Sequence, residues 1–320
     1  MRDAFHFDTL HWPWPIAVYL FLVGMSAGLV IISIILKYNA PDKGGTQDRV
    51  TKFAAILAPI AIMVGLLILV IDLTHPFRFW KLMLNFNFTS IMSLGVILLV
   101  IYSSMLFVWI LLAYRDAFLT WANVTGSLQG IKSLLKCAIG LVSKLEKCID
   151  MLLVFLAVLA GCYTGFLLSA LKTFPMLNNP VLPVLFLVSG LSSGIAASMI
   201  AIGISKKGPA HDGAMTLMHK VERIVVFAEM FVLFAFMIGM LLGRGQSVVA
   251  LETALSGFWG TIFWVGIVGL GMLLPLILNR ICPASLKERG GFMATMALCT
   301  IIGVFLLRLF VLYTGQMTVA

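Results

Sequence analysis

The densest group of ionisable residues in this chain lies where a long apolar run ends, in the segment IDLTHPFRFWKLMLNFNFTS. Asp72 and His75 stand about one helical turn apart there, and Arg78 follows. A carboxylate and an imidazole at this spacing can relay protons between a buried ligand and water. The same residues are also typical of a solvated helix end at a membrane surface, and their spacing is compatible with both interpretations.

Two ionisable residues, Glu229 and Arg308, lie within apolar runs. A charge inside a membrane is costly unless it is paired or hydrated, so each such residue is a functional candidate. We expect Glu229 to be protonated or to line a hydrated cavity, and Arg308 to lie near a carboxylate or water. Together they are candidates for a proton pathway.

Two tyrosines, Tyr19 and Tyr163, lie toward the ends of other apolar runs. A phenol at this depth can hydrogen-bond a ligand oxygen, or it can belong to the aromatic belt of a membrane protein. Both interpretations stay open on the sequence.

The histidines and cysteines argue against a metal centre. None of the five histidines lies in the interior of an apolar run, whereas a transmembrane haem needs axial ligands inside the bundle. The five cysteines show no CxxC spacing. We expect no haem, no iron–sulfur cluster and no other metal in this protein.

The elements that position these residues are helices in a membrane. Of the 320 residues, 61% are hydrophobic and 11% are charged, against roughly 25% charged in a soluble domain. Continuous apolar runs near the ~20 residues of a membrane-crossing helix predict an all-α integral membrane protein, because β-barrels show alternation instead. The eight predicted spans, numbered 1 to 8, are roughly 15–36, 54–73, 91–113, 150–171, 182–204, 221–243, 257–278 and 292–313.

The net charge of +9 is explained by orientation. Sixteen of the 22 Lys and Arg residues flank the loops that follow spans 1, 3, 5 and 7, and five lie on the opposite side. The positive-inside rule then places both termini in the periplasm. Since the charges form no single basic face, we expect no nucleic-acid partner.

A short internal repeat suggests duplication. LFLVGMSAG (Leu20–Gly28) is similar to LFLVSGLSSG (Leu185–Gly194), with one inserted residue, four spans later. This predicts two parallel four-helix units, 1–171 and 172–320, although small-residue packing motifs also recur by chance.

The longest connection, 114–149, is predicted to carry a basic amphipathic helix on the cytoplasmic surface of the membrane. The apolar residues at helical spacing are Ile131, Leu134, Leu135, Ala138, Val142 and Leu145.

Several segments of the chain together resemble the NrfD/polysulfide-reductase membrane-subunit family. They are PIAVYLFLVGMSAG, IDLTHPFRFWKLMLNFNFTS, and YTGFLLSALKTFP with the following NNPVLPVLFLVSGLSSG. The resemblance covers essentially the whole chain. GFLLSALKTFPMLNN and RLFVLYTGQMTVA are most similar to the members that serve formate-dependent nitrite reduction.

The resemblance implies a quinol-oxidising anchor in the bacterial inner membrane, which is not catalytically complete alone. It implies menaquinol as the electron donor, a periplasmic four-cluster iron–sulfur subunit as the partner and, beyond it, a multihaem cytochrome c. Carried over by position, Tyr163 matches the head-group tyrosine of span 4, Asp72 the acid ending span 2, and His75 and Arg78 the HPxRFW pattern. Tyr19 stands where some relatives have histidine.

Two alternatives remain at this point. The protein could anchor a polysulfide, thiosulfate or tetrathionate reductase of the same family. It could instead be a secondary transporter, which parallel repeats and an intramembrane Glu229 would also suit. The spans lack the paired helices broken by Gly or Pro that build transporter sites.

Overall fold

The fold is that of a computed structural model, which describes residue 5 and residues 7–39, 46–73, 80, 87, 89–123, 129–204, 209–243, 245–283 and 290–319.

Eight helices in the described ranges are long and apolar enough to cross a membrane, which confirms the predicted all-α class and number of spans. Several extend beyond their predicted ends, because hydropathy marks only the apolar part of a helix. Span 6 shows this best, since the residues before its predicted start include His211, Asp212, His219 and Lys220. The eight spans are Trp14–Asn39, Thr46–Ile71, Ile91–Ala113, Glu146–Ser169, Leu182–Ile204, Pro209–Leu242, Gly257–Ile281 and Gly290–Gln316.

Spans 1 and 5 form the centre of the bundle and pack on each other through the repeated motif. Gly24 faces Gly190, and Gly28 faces Gly194 one turn further along. A Cβ atom added at Gly190 would lie 2.9 Å from the carbonyl oxygen of Gly24. Small residues at these positions therefore permit backbone contact. Both contacts advance toward the C-terminus on each helix, so spans 1 and 5 run parallel.

The two ends of the protein are joined on one side of the bundle. The Gln316 side chain accepts hydrogen bonds from the backbone N–H groups of His11 and Trp12, both at 2.9 Å. Its amide also donates to the Trp12 carbonyl at 3.1 Å. The Thr9 hydroxyl donates to the Gln316 carbonyl at 2.7 Å. These contacts fix the segment before span 1 to the end of span 8.

An ion-pair network joins the opposite end of span 1 to the start of span 4. Lys37 Nζ lies 2.5 Å from Asp150 Oδ2 and 2.7 Å from Glu146 Oε1. The Tyr38 hydroxyl donates to the same Asp150 oxygen at 2.7 Å. Asp150 is fully buried, so removing its partners would leave an uncompensated charge.

The connection between spans 3 and 4 contains two helices, Arg115–Asn123 and Gln129–Lys144. The second buries Ile139 and leaves Leu134 and Leu141 exposed, as is Leu145 just after it. Of the predicted apolar stripe, Val142 is partly buried against the core, whereas Leu134 and Leu145 are exposed. One face packs on spans 3 and 4, and the exposed leucines are available to a membrane surface.

Span 7 is π-helical over Ile262–Leu273. Such wide helical turns are rare and occur frequently at functional sites. Gly271, within this segment, meets Gly303 of span 8 so closely that a Cβ atom at Gly271 would lie 2.7 Å from the Gly303 Cα. The glycines let the widened helix stay in contact with span 8.

Candidate functional site

Tyr19 and Tyr163 come together among spans 1 to 4. Tyr19 is fully buried and lies against Gly65 of span 2. Tyr163 is nearly buried, and its phenol ring lies directly over Gly95 of span 3. The two phenols are close enough to interact electrostatically. Each tyrosine thus packs against a glycine of a neighbouring span.

These four residues occupy one layer of the bundle. Each lies four to six residues from the end of its own helix on the same side, or roughly 6–9 Å at the rise of an α-helix. By the charge distribution, this is the predicted periplasmic side. The layer therefore lies just within the apolar region, at a depth that a lipid-soluble ligand reaches.

The Tyr19 hydroxyl has no hydrogen-bond partner among the residues that the structure describes. A buried donor left in this state costs roughly 1–3 kcal/mol. Native proteins retain such groups where a ligand or water completes the bond. A ligand oxygen within hydrogen-bond distance of this hydroxyl would complete it.

A third phenol lies deeper in the same group of helices. The Tyr102 hydroxyl of span 3 is 3.1 Å from Ser26 Oγ of span 1. Ser26 in turn donates to the Ala58 carbonyl of span 2 at 2.9 Å. Sequence reasoning missed these residues, although Ser26 lies inside the repeated motif. Since their hydroxyls are already engaged, they connect the spans rather than offer a free donor.

Asp72 follows the last residue of span 2, and its backbone N–H donates to the Ile68 carbonyl at 3.1 Å. The residue is exposed. It lies seven residues beyond Gly65, which is roughly 10 Å along a helix. Asp72 therefore stands at the rim, above the tyrosine layer. His75 and Arg78 lie outside the described residues.

Glu229 and Arg308 form a second buried polar group, between spans 5, 6 and 8. Arg308 is fully buried and donates from Nη2 to the Phe186 carbonyl at 2.8 Å. Its guanidinium also lies 3.7 Å from the centre of the Phe186 ring. Ser192 lies beside the Glu229 carboxyl, and Arg308 is near enough to interact with it electrostatically. Arg308 thus has an opposite charge nearby.

Span 1 contacts both the Glu229–Arg308 group and the tyrosine layer. A Cβ atom at Gly24 would lie 3.2 Å from Arg308 Nη2, so the guanidinium packs on this glycine. Gly24 is five residues deeper than Tyr19 on the same helix, or roughly 7.5 Å. In the described part of the protein, Arg308 Nε and Nη1 have no hydrogen-bond partner.

Within the described ranges, no three His, Cys, Asp or Glu side chains are grouped as a metal site would require. The described site offers hydrogen bonding by phenols, with a carboxylate at the rim.

Comparison with known proteins gives concordant matches. Residues 2–320 match the protein family described as "Polysulphide reductase, NrfD". The sequence is 43% identical to "Protein NrfD" of Escherichia coli, over 99% of both proteins. It is 41% identical to "Protein NrfD homolog" of Haemophilus influenzae, over 99% of this protein and 98% of that one. It is 36% identical to the C subunit of the polysulfide reductase of Wolinella succinogenes, over 97% and 96% respectively.

Proposed function

The chain belongs to the NrfD family of multi-pass bacterial inner-membrane proteins, and from this premise we propose that it oxidises menaquinol for a respiratory reductase. The reductase that we infer is the cytochrome c nitrite reductase. The protein would be the membrane subunit of such a complex, with the redox centres in its partners.

The observation that carries this proposal is the buried Tyr19 hydroxyl beside Tyr163, which has no hydrogen-bond partner among the described residues. A quinol head group has two hydroxyls and an apolar ring, and its tail is soluble in the membrane. Phenols can hydrogen-bond the oxygens of the head group. The tyrosine rings themselves pack against glycines of the neighbouring spans, and the head group would stack on the tyrosine rings. In the proposed complex, Tyr19 and Tyr163 bind and orient the head group.

Oxidation of the quinol releases two protons and two electrons and leaves the quinone. The protons need an acceptor, and Asp72 at the rim is exposed to water. We propose that Asp72 and His75 take the protons outward, with Arg78 holding the head group or the carboxylate. General-base assistance of this kind contributes roughly 10²–10⁴-fold to a rate.

The electrons pass to a periplasmic four-cluster iron–sulfur subunit, which we propose docks around residues 78–87 and 172–179. From there they would reach a multihaem cytochrome c. Protons and electrons then leave on the same face, so the reaction moves no net charge across the membrane. Glu229 and Arg308 are the candidates for an alternative proton route from the other face.

The helix packing supports two four-helix units with the boundaries 1–171 and 172–320. Span 1 packs on spans 2 and 4, and span 5 packs on spans 6 and 8, while span 5 also contacts spans 1 and 4 across the boundary. The two ends of the protein lie together, and the charge distribution favours the periplasm for both.

One assay separates this function from a transporter. The purified complex, given a menaquinol analogue and a dye that accepts electrons, should reduce the dye at a rate that depends on the quinol. Flux of a solute through vesicles containing the protein, without dye reduction, would instead support a transporter. The similarity to a polysulfide reductase subunit keeps a polysulfide reductase as the alternative within the family. Nitrite and polysulfide should therefore be compared as terminal acceptors.

A further inference from the structure

A second site lies at the other side of the bundle, away from the tyrosines. A cavity of about 590 Å³ opens between spans 6 and 7, which pack only sparsely against each other. It lies at the ends of these helices from which the basic loops emerge. Its volume is within the range of roughly 300–1,000 Å³ typical of ligand pockets.

One wall is a stripe along span 6. His219, Arg223, Phe227 and Met230 line the cavity at spacings of three and four residues, so they share one helical face. The stripe begins with a polar end and becomes apolar within two turns. From Arg223 to Met230 the distance along the helix is roughly 10 Å.

The other wall shows the same change from polar to apolar side chains, but it runs in the opposite direction along the sequence. Leu273, Leu276, Ile277 and Arg280 line the cavity from span 7. Because spans 6 and 7 are antiparallel, Arg280 lies at the same end as Arg223. The cavity therefore has a cationic mouth and an apolar interior.

The mouth carries more positive than negative charge. Arg223 and Arg280 are exposed, and neither forms an ion pair within the described ranges. The carboxylate at the mouth, Glu222, accepts a hydrogen bond from Asn279 at 3.1 Å and is 3.2 Å from His219 Nδ1. Glu222 is thus engaged by its neighbours, and both guanidinium groups are available to an anion.

We propose that this cavity binds an acidic phospholipid, with its phosphate between Arg223 and Arg280 and part of an acyl chain in the apolar interior. Phe227 is 58% exposed and Ile277 49% exposed, which leaves the cavity open sideways to the membrane. Basic pockets between membrane helices are a recurring form of phospholipid site. A quinone is a poorer occupant, because it has no negative charge for the arginines and the described interior is lined by apolar side chains.

The test is lipid binding to the purified full-length protein, delipidated in detergent and followed by native mass spectrometry. One phosphatidylglycerol should bind per protein molecule in preference to phosphatidylcholine. R223Q/R280Q should weaken phosphatidylglycerol binding by roughly tenfold or more. The matched control K144Q/K220Q removes the same charge from exposed positions that do not line the cavity, and it should bind as the wild type does.

A second variant tests whether the acyl chain occupies the apolar interior of the cavity, and it leaves the charge unchanged. Ile277→Trp should fill the interior and weaken binding while both arginines remain. Millimolar inorganic phosphate should not displace the lipid from the wild-type protein. The proposal would be overturned if phosphatidylcholine bound equally well, if the control pair lost as much binding, or if I277W bound as the wild type does. Displacement of the lipid by phosphate or by a quinone would overturn it as well.

Discussion

A phenolic hydroxyl enclosed by four membrane helices has few possible hydrogen-bond partners. Tyr19 has no partner in the described part of the protein, whereas Tyr102 has Ser26 and Tyr38 has Asp150. Under the proposed function, the contrast distinguishes a donor that binds the ligand from donors that join helices. It also provides matched controls, because Tyr→Phe removes one oxygen at each position and keeps the ring.

Tyr163→Phe and Asp72→Asn should each lower menaquinol-dependent turnover by roughly tenfold or more, because the first removes a hydrogen bond to the head group and the second a proton acceptor. Assembly with the iron–sulfur partner should be unchanged. Tyr38→Phe, at the far end of span 1, leaves Asp150 paired with Lys37 and should keep wild-type turnover. Turnover would be measured by dye reduction. Wild-type rates in both site variants would place the site elsewhere.

The buried Glu229–Arg308 pair predicts a particular pattern of stability. Arg308→Met removes the opposite charge near Glu229 and the hydrogen bond to the Phe186 carbonyl, and it should destabilise the protein by roughly 1–3 kcal/mol. The double variant R308M/E229Q removes both charges and should recover part of that loss. Thermal unfolding of the detergent-purified variants, followed by tryptophan fluorescence, measures the difference. Equal melting temperatures for the single and double variants would show that the two charges are not coupled.

At this scale, the sequence identified Tyr19, Tyr163, Glu229 and Arg308 as polar residues in apolar surroundings. It could not show that Tyr19 meets Tyr163, because the two are separated by 144 positions along the sequence. Nor could it distinguish Tyr102, whose hydroxyl is engaged, from a tyrosine with a free hydroxyl. That distinction depends on Ser26, which faces Tyr102 from another helix.

At the scale of the helices, the glycines of spans 2 and 3 determine what the tyrosines can do. A Cβ atom at Gly95 would overlap the Tyr163 ring, whereas one at Gly65 would make ordinary contacts with Tyr19, whose nearest atom there is 3.6 Å away. Replacing glycine by alanine therefore has different consequences at Gly95 and at Gly65, although both lie in the same layer.

Gly95→Ala should displace the Tyr163 phenol and lower menaquinol turnover by about as much as Tyr163→Phe does. Gly65→Ala should leave turnover within about twofold of wild type, since the site can accommodate an ordinary contact. Dye reduction again gives the rate, and comigration with the partner subunit controls for assembly. A Gly65→Ala defect as large as that of Gly95→Ala would contradict the packing described for this layer.

The helices themselves were largely predictable, since eight apolar runs with few charges leave little choice in a membrane. The π-helical part of span 7 was not, because Ile262–Leu273 has the same apolar composition as an α-helical span. The polar start of span 6 was missed for a related reason. Hydropathy reports burial in lipid and not where a helix begins.

For the whole molecule, the orientation decides on which face the chemistry takes place. The tyrosine layer, Asp72 and both ends of the protein lie on one side of the bundle, and the Lys37–Asp150 network and the cavity between spans 6 and 7 lie on the other. The sequence predicts that the first side is periplasmic from the distribution of lysine and arginine.

A membrane-impermeant thiol reagent tests this orientation. The native Cys137 and Cys148 are exposed on the basic side, so in intact spheroplasts they should react only after the membrane is permeabilised. In a variant without native cysteines, Lys172→Cys should react without permeabilisation, because Lys172 is exposed at the opposite side. Reaction of Cys137 from outside would reverse the orientation and move the quinol site to the cytoplasmic face.

The central claim is that the quinol head group binds between Tyr19 and Tyr163, and binding of a menaquinone analogue to the purified complex tests it most directly. Quenching of tryptophan fluorescence by the analogue gives the dissociation constant. If each phenol contributes one hydrogen bond, Tyr19→Phe and Tyr163→Phe should each weaken binding by roughly 2- to 12-fold, while Tyr38→Phe leaves it unchanged. Wild-type affinity in a Y19F/Y163F double variant that assembles normally would contradict the account.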